Sequence, residues 1–104
     1  GERMRLTNLQ VNQALQGLNS LSQEKLTGRL HYELAKIRKA LLPQNEVFVE
    51  ALGKIEEKDK EEQTKELAEL EEEIEITLIQ WHDIEDIQMD GVTFQFLEPI
   101  INFE

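Results

Sequence analysis

The chain has 104 residues, 22 Asp and Glu against 11 Lys and Arg, a net charge of −11 and no cysteine. Its length suits one domain with about 6,000 Å² of surface when folded, against about 17,500 Å² extended. Disulfides, thiolate metal sites and cysteine nucleophiles are excluded, the acidic balance argues against a general nucleic-acid binder, and no apolar run reaches the roughly 18 residues of a membrane span.

Charge divides the molecule. Residues 1–55 carry eight Lys or Arg and five Asp or Glu, whereas residues 56–104 carry three and seventeen. Such an asymmetry makes one part of the surface complementary to another, within the chain or between copies. Met4 reads as a natural start, so Gly1, Glu2 and Arg3 are expected to be a cloning remnant outside the fold. A single domain is expected over residues 4–104, helical over 6–72 and β or irregular over 73–104.

Leu9, Val11, Ala14, Leu15, Leu18 and Leu21 recur near helical spacing, and Thr7 or Asn8 can cap the first turn. Gly17 in the interior of this helix either permits a close approach or weakens it. The face left over is polar and uncharged: Gln10, Asn12, Gln13, Gln16 and Asn19. A second helix, capped by Ser22 or Thr27, carries Leu30, Leu34, Ile37, Leu41, Phe48, Ala51 and Ile55 as a heptad seam, with Gln44 at the one polar position. Pro43 lies inside it. Because the seam stays in phase across the proline, a kink is expected rather than a stop.

A turn near Glu57–Lys60 leads to a charged third helix with Gln63, Leu67, Leu70 and Ile74 as a narrow stripe. From Glu73 the period shortens to two through Ile74, Ile76 and Leu78, which predicts a strand. Trp81 to Asp86 reads as an acidic connection. Asp90-Gly91 between apolar residues is a hairpin signal, preferred here over a terminal helix with Phe94, Leu97 and Ile101 on one face, because Pro99 lies within that stretch. The fold class is therefore mainly α with some β: antiparallel helices on one long, Pro43-kinked helix, plus a small C-terminal β element. Connection lengths place the first and third helices end to end on opposite halves of the long one.

Two charged rows follow from this register. Lys25, Arg29, Lys36 and Lys39, with Tyr32 in the gap, form a basic row, and Glu62, Glu66, Glu69 and Glu73 an acidic one. The third helix is too short to bring the rows together, so a second copy or another protein is the expected counterpart. Trp81, following the strand, serves as a core lid or a binding anchor. The two histidines lack convergent partners: His31 lies in a helical stretch, and His82 with Asp83, Glu85 and Asp86 has no EF-hand or His-x-x-x-His spacing. There is no phosphate loop or nucleophile elbow. No catalytic, cofactor or metal residues are expected.

In chain order, Leu6-Thr7-Asn8-Leu9, then Tyr32-x-Leu34-x-x-Ile37, then Glu66-Leu67-x-x-Leu70 running into Glu73-Ile74-Glu75-Ile76 set a pattern. Ile84-Glu85-Asp86-Ile87 and Leu97-Glu98-Pro99-Ile100-Ile101 complete it. Over residues 6–102 it resembles a family of small tailed-bacteriophage proteins of unknown function, from which Pro43 departs. The resemblance implies a phage or prophage origin and a bacterial cytoplasm, and brings no catalytic residues. The expected role is a non-enzymatic, self-associating protein-interaction module, in phage assembly or on a host protein, without direct nucleic-acid or membrane contact. The alternative is an acidic DNA mimic that inhibits a host nucleic-acid-binding enzyme. A third option is a small-ligand pocket walled by Tyr32 and Trp81.

Overall fold

A computed structural model describes residues 1–104. The elements are β1 (Glu2–Thr7), α1 (Asn8–Leu21), α2 (Gly28–Gly53), a 3₁₀ turn (Glu57–Asp59), α3 (Lys60–Glu69) and β2 (Glu71–Ile76). There follow β3 (Ile79–Gln80), α4 (Trp81–Ile84), α5 (Gly91–Leu97), a second 3₁₀ turn (Glu98–Ile100) and β4 (Ile101–Asn102). The protein is mainly α with some β.

Thr7 caps α1: its hydroxyl accepts from the Gln10 N–H at 3.0 Å while the Gln10 amide oxygen accepts from the Thr7 N–H at 2.9 Å. Thr27 caps α2 through its hydroxyl alone, which accepts from the Leu30 N–H at 3.2 Å. Helix α2 runs unbroken through Pro43, whose exposed ring faces solvent. At 26 residues it is about 39 Å long, about twice the 21 Å of α1.

The buried Asn8 fixes how the helices meet. Its Nδ2 donates to the Leu67 carbonyl at 2.9 Å, its Oδ1 accepts from Gln44 Nε2 at 3.1 Å, and its backbone N–H reaches the Leu70 carbonyl at 2.9 Å. One residue thus ties the start of α1 to the end of α3 at the middle of α2. Asn12 Nδ2 donates to Asn45 Oδ1 at 3.0 Å, a second tie between α1 and the middle of α2. The two shorter helices therefore lie end to end along the long one, as the connection lengths predict. Of the uncharged polar side chains of α1, Asn8 and Asn12 serve this internal seam, Gln10 caps the helix, and Gln16 and Asn19 are exposed.

Three expectations are corrected. Residues Glu2–Thr7 form a strand, so Glu2 and Arg3 belong to the fold and the helical part does not begin at residue 6. β1 pairs antiparallel with β2, from Glu2 opposite Ile76 to Thr7 opposite Glu71. Met4, Leu6, Ile74 and Ile76 turn inward on this ladder, while Arg3 and Arg5 meet Glu73 and Glu71 at 3.8 and 3.5 Å on the outer face. Next, α3 stops at Glu69, because Leu70 is already extended. Leu70 is exposed and Ile74 lies in β2, so the proposed Gln63–Ile74 stripe does not form; Thr64, Leu67 and Ala68 are the half-buried residues of α3. Glu73 consequently leaves the acidic row.

The third correction concerns Asp90-Gly91. A two-residue Asp-Gly hairpin needs positive φ, and no residue of the chain has it. Instead Asp90 caps α5, accepting from the Thr93 N–H at 2.7 Å. That bond, followed by the Thr93 hydroxyl, holds the Asp90 carboxyl below its ordinary pKa. Pro99 sits in the 3₁₀ turn after the helix, where its missing N–H is tolerated. The β element of the C-terminal part is a two-residue parallel pair, Ile79 with Ile101 and Gln80 with Asn102.

The core lies between α1, α5, the seam of α2 and the inner faces of the strands, centred on Val11, Leu18, Leu41, Leu97 and Ile100. Helices α1 and α5 touch at Gly17, where a Cβ would stand 2.8 Å from Leu97 Cγ. Only four of the 26 residues of α2 are buried: Leu34, Ile37, Leu41 and Phe48. Phe48 lies outside the main cluster, so the distal ends of α2 and α3 form an arm with little core of its own. The dimensions, 46 × 27 × 22 Å, reflect that arm. The accessible surface is 7169 Å², some 1,100 Å² beyond the roughly 6,000 Å² of a typical monomer of this mass.

Candidate protein-interaction surface

Every position of the basic row is exposed, Lys25 in the connection before α2 and the others along one side of that helix. Lys36 pairs with Glu33 at 3.4 Å, and its Nζ lies 5.1 Å from the centre of the Tyr32 ring. Lys25, Arg29 and Lys39 make no ion pair in the chain. Glu62, Glu66 and Glu69 are likewise exposed on α3 and unpaired. The rows do not meet within one copy. Tyr32, 64 % exposed, and Val47, 60 % exposed, are the most accessible large apolar residues. Their separation of about four helical turns keeps both on the solvent side of α2.

A groove runs beside this row. Its larger part, about 640 Å³, lies between Lys25, Arg29 and Glu33 of the α2 region and the segment Thr77–Gln80, over a floor that includes Leu30, Leu34 and Ile37. A smaller hollow of about 330 Å³ continues it between Lys36 and Ala40 on one wall and Glu75 to Thr77 on the other. Ile37 and Thr77 line both. Gly1, just before β1, also lines the smaller hollow. Between β2 and β3, Thr77 is exposed and Leu78 half-buried.

Trp81 is half-buried and packs with Phe94 and Phe103, at ring-centre distances of 5.8 and 5.4 Å. Phe94 and Phe103 are themselves 6.2 Å apart, which closes a three-ring cluster over the C-terminal part. Trp81 and Tyr32 both lie outside the groove lining, so the two do not wall a common pocket. His31 is exposed, and His82, on the groove wall, stands 3.3 Å from Asp83. No helix is long and apolar enough to cross a membrane.

Of the sequence-predicted residues, the structure brings Lys25 and Arg29 to the larger hollow and Lys36 to the smaller. Lys39 and Tyr32 remain on the solvent face, and Glu62, Glu66 and Glu69 on the arm. The strand expected from Glu73 through Leu78 is interrupted at Thr77 and Leu78, and sequence reasoning missed the separate strand β3 at Ile79–Gln80, whose signal was the adjacent apolar pair Leu78 and Ile79. No protein family matches the sequence, and no curated protein or solved structure is similar to it.

Proposed function

We propose that the protein is a non-enzymatic interaction module that self-associates through the basic row of α2 and the acidic row of α3. The carrying observation is the bare α2 side, with unpaired cations on the body and unpaired carboxylates on a projecting arm. The surplus of about 1,100 Å² is of the order that one partner contributes to a standard interface, about 800 Å². Alignment of Lys25, Arg29 and Lys39 with Glu62, Glu66 and Glu69 of a second copy neutralises charges that no intrachain partner reaches. Desolvating Tyr32 and Val47 at the same contact supplies affinity beyond that of exposed ion pairs, each worth about 0–1 kcal/mol. The family resemblance extends this reading to a phage-encoded component of a bacterial cytoplasm that contacts phage or host proteins.

Sedimentation velocity at 50 and 500 mM salt tests it. The expected result is an oligomer at low salt that dissociates at high salt, and that is weakened by Lys39→Glu or Glu66→Lys, neither of which lines the groove. A strict monomer at every concentration and salt overturns self-association. The ordered spacing of Glu62, Glu66 and Glu69 on one helix also supports a second reading, in which this stripe imitates phosphates and blocks a nucleic-acid-binding enzyme of the host. That reading predicts a salt-sensitive complex with such an enzyme which duplex DNA displaces.

A further inference from the structure

We infer that the outer face of α2 binds a second copy of the chain, the two helices running antiparallel about a two-fold axis near Ala40 and Leu41. The inference rests on the self-association reading and names the face, the direction and the register of the contact.

Helix α2 carries two seams. The inner one, with Leu34, Ile37, Leu41 and Phe48, faces the core. On the outer side Tyr32, Ala35, Lys39, Leu42, Glu46 and Val49 follow one another at alternating steps of three and four, the spacing that keeps one stripe turned toward a partner helix. Leu42 is half-buried and the other five are exposed. None of the six lines either hollow beside β2. Ala35, Leu42 and Val49 recur every seven residues, so an apolar column stands on the outside of the helix with Tyr32 at one end. Val47, next to Glu50 and Pro43 on the helix surface, borders the stripe. The column is left open by the chain's own elements, and a second stripe of the same spacing interlocks with it.

Charge fixes the occupant and its direction. Arg29, Lys36 and Lys39 lie before Leu42, and Glu46 and Glu50 lie after it. Their only ion pairs run along the helix, Lys36 with Glu33 at 3.4 Å and Glu50 with Lys54 at 3.7 Å, on side chains 35–77 % exposed. Pairs so exposed hold their members weakly. Two copies in parallel set Lys39 beside Lys39 and Glu46 beside Glu46. Reversing one copy sets cations against carboxylates in both halves. With Tyr32 opposite Val49 of the other copy, Lys39 lies opposite Leu42, Ala35 opposite Glu46, and Arg29 and Lys36 flank Glu50. The Lys39 stem then covers Leu42 while its ammonium reaches Glu46 one turn on. The two-fold axis makes every contact twice, and the contact spans about 32 Å from Arg29 to Glu50. The same reversal lays the arm of one copy, α3 included, along the half of α2 that holds Arg29.

Sedimentation equilibrium of the whole chain at low salt reads the contact. Lys39→Glu and Glu46→Lys are each expected to weaken the dimer about tenfold or more, and the two together to return it to within about threefold of the parent. The two positions are about two turns apart in one chain, so that rescue passes between copies. Val49→Asp, on an exposed side chain, is expected to weaken the dimer about tenfold with the far-UV circular dichroism spectrum unchanged. The chain has no cysteine, so Gly28→Cys, with open space around it, takes a single spin label at the start of α2. Pulsed electron paramagnetic resonance is expected to find the two labels of a dimer about 40 Å apart. A separation of about 10 Å, that of parallel helices, overturns the inference, as does a double swap that fails to restore the dimer. A salt-sensitive dimer indifferent to Val49→Asp and to both swaps refutes the α2 face alone. A strict monomer at every concentration refutes self-association with it.

Discussion

Replacing Gly17 by alanine sets two effects of opposite sign against each other. In a helix interior alanine is favoured over glycine by about 1 kcal/mol. Against this, the new Cβ lies 2.8 Å from Leu97 Cγ, 3.0 Å from Leu97 Cδ2 and 3.3 Å from Phe96 Cβ. Leu97 is fully buried, and the nearest atom is its branch point, so rotation about χ2 does not clear the contact and a change in χ1 has to displace packed neighbours. Overpacking of this kind costs about 1–3 kcal/mol. The expected net destabilisation is about 1–2 kcal/mol, or roughly 4–12 °C in Tm for a domain of this size. Gly53→Ala, at the end of α2 with open space around it, is the control and is expected to leave stability unchanged or raise it by up to about 1 kcal/mol. Urea titrations at unchanged slope give both values. In a double-mutant cycle, Leu97→Ala is expected to cost less in the Gly17→Ala background than in the parent, because it removes the atoms that the new methyl meets. If Gly17→Ala stabilises as much as Gly53→Ala, the close α1–α5 approach is refuted.

Asn8→Ala is expected to lose about 2–3 kcal/mol in the same titration, since it deletes two side-chain hydrogen bonds and strands Gln44 and the Leu67 carbonyl at a seam of three helices. Asn12→Ala removes a more exposed pair and is expected to cost under about 1 kcal/mol, and equal losses at the two sites count against Asn8 as the junction. The Asp90 cap makes a prediction in acid. Its folded pKa lies below the ordinary value, so its stabilising effect is complete above about pH 4 and fades as pH falls through the lower folded value. Thermal melts from pH 6 down to pH 2 are therefore expected to converge for the parent and Asp90→Ala at the acid end, with the parent higher at pH 6; parallel curves contradict the cap.

The parts of the fold legible in the sequence were those specified by neighbours in the chain. Thr7 and Thr27 announce the starts of α1 and α2 because a cap acts within three residues. The seam from Leu34 to Phe48 announces α2 and its continuity past Pro43, because the heptad phase survives the proline. The missed elements depend on distant partners or on competing local chemistry. β1 contributes only Met4 and Leu6 to the inner face, and its ladder partner is some 70 residues away. Asp90-Gly91 suits a tight hairpin turn or a helix start equally well, and the Thr93 N–H and hydroxyl three residues on decide for the helix. The charged residues were visible as rows on periodicity alone. The groove was not, because its walls come from two segments about 50 residues apart.

An open strand edge is usually a hazard, because it invites pairing with another copy. Here the strand itself discourages that pairing. β2 carries Glu71, Glu73 and Glu75 on its outer face, so two such strands brought edge to edge set like charges opposite one another.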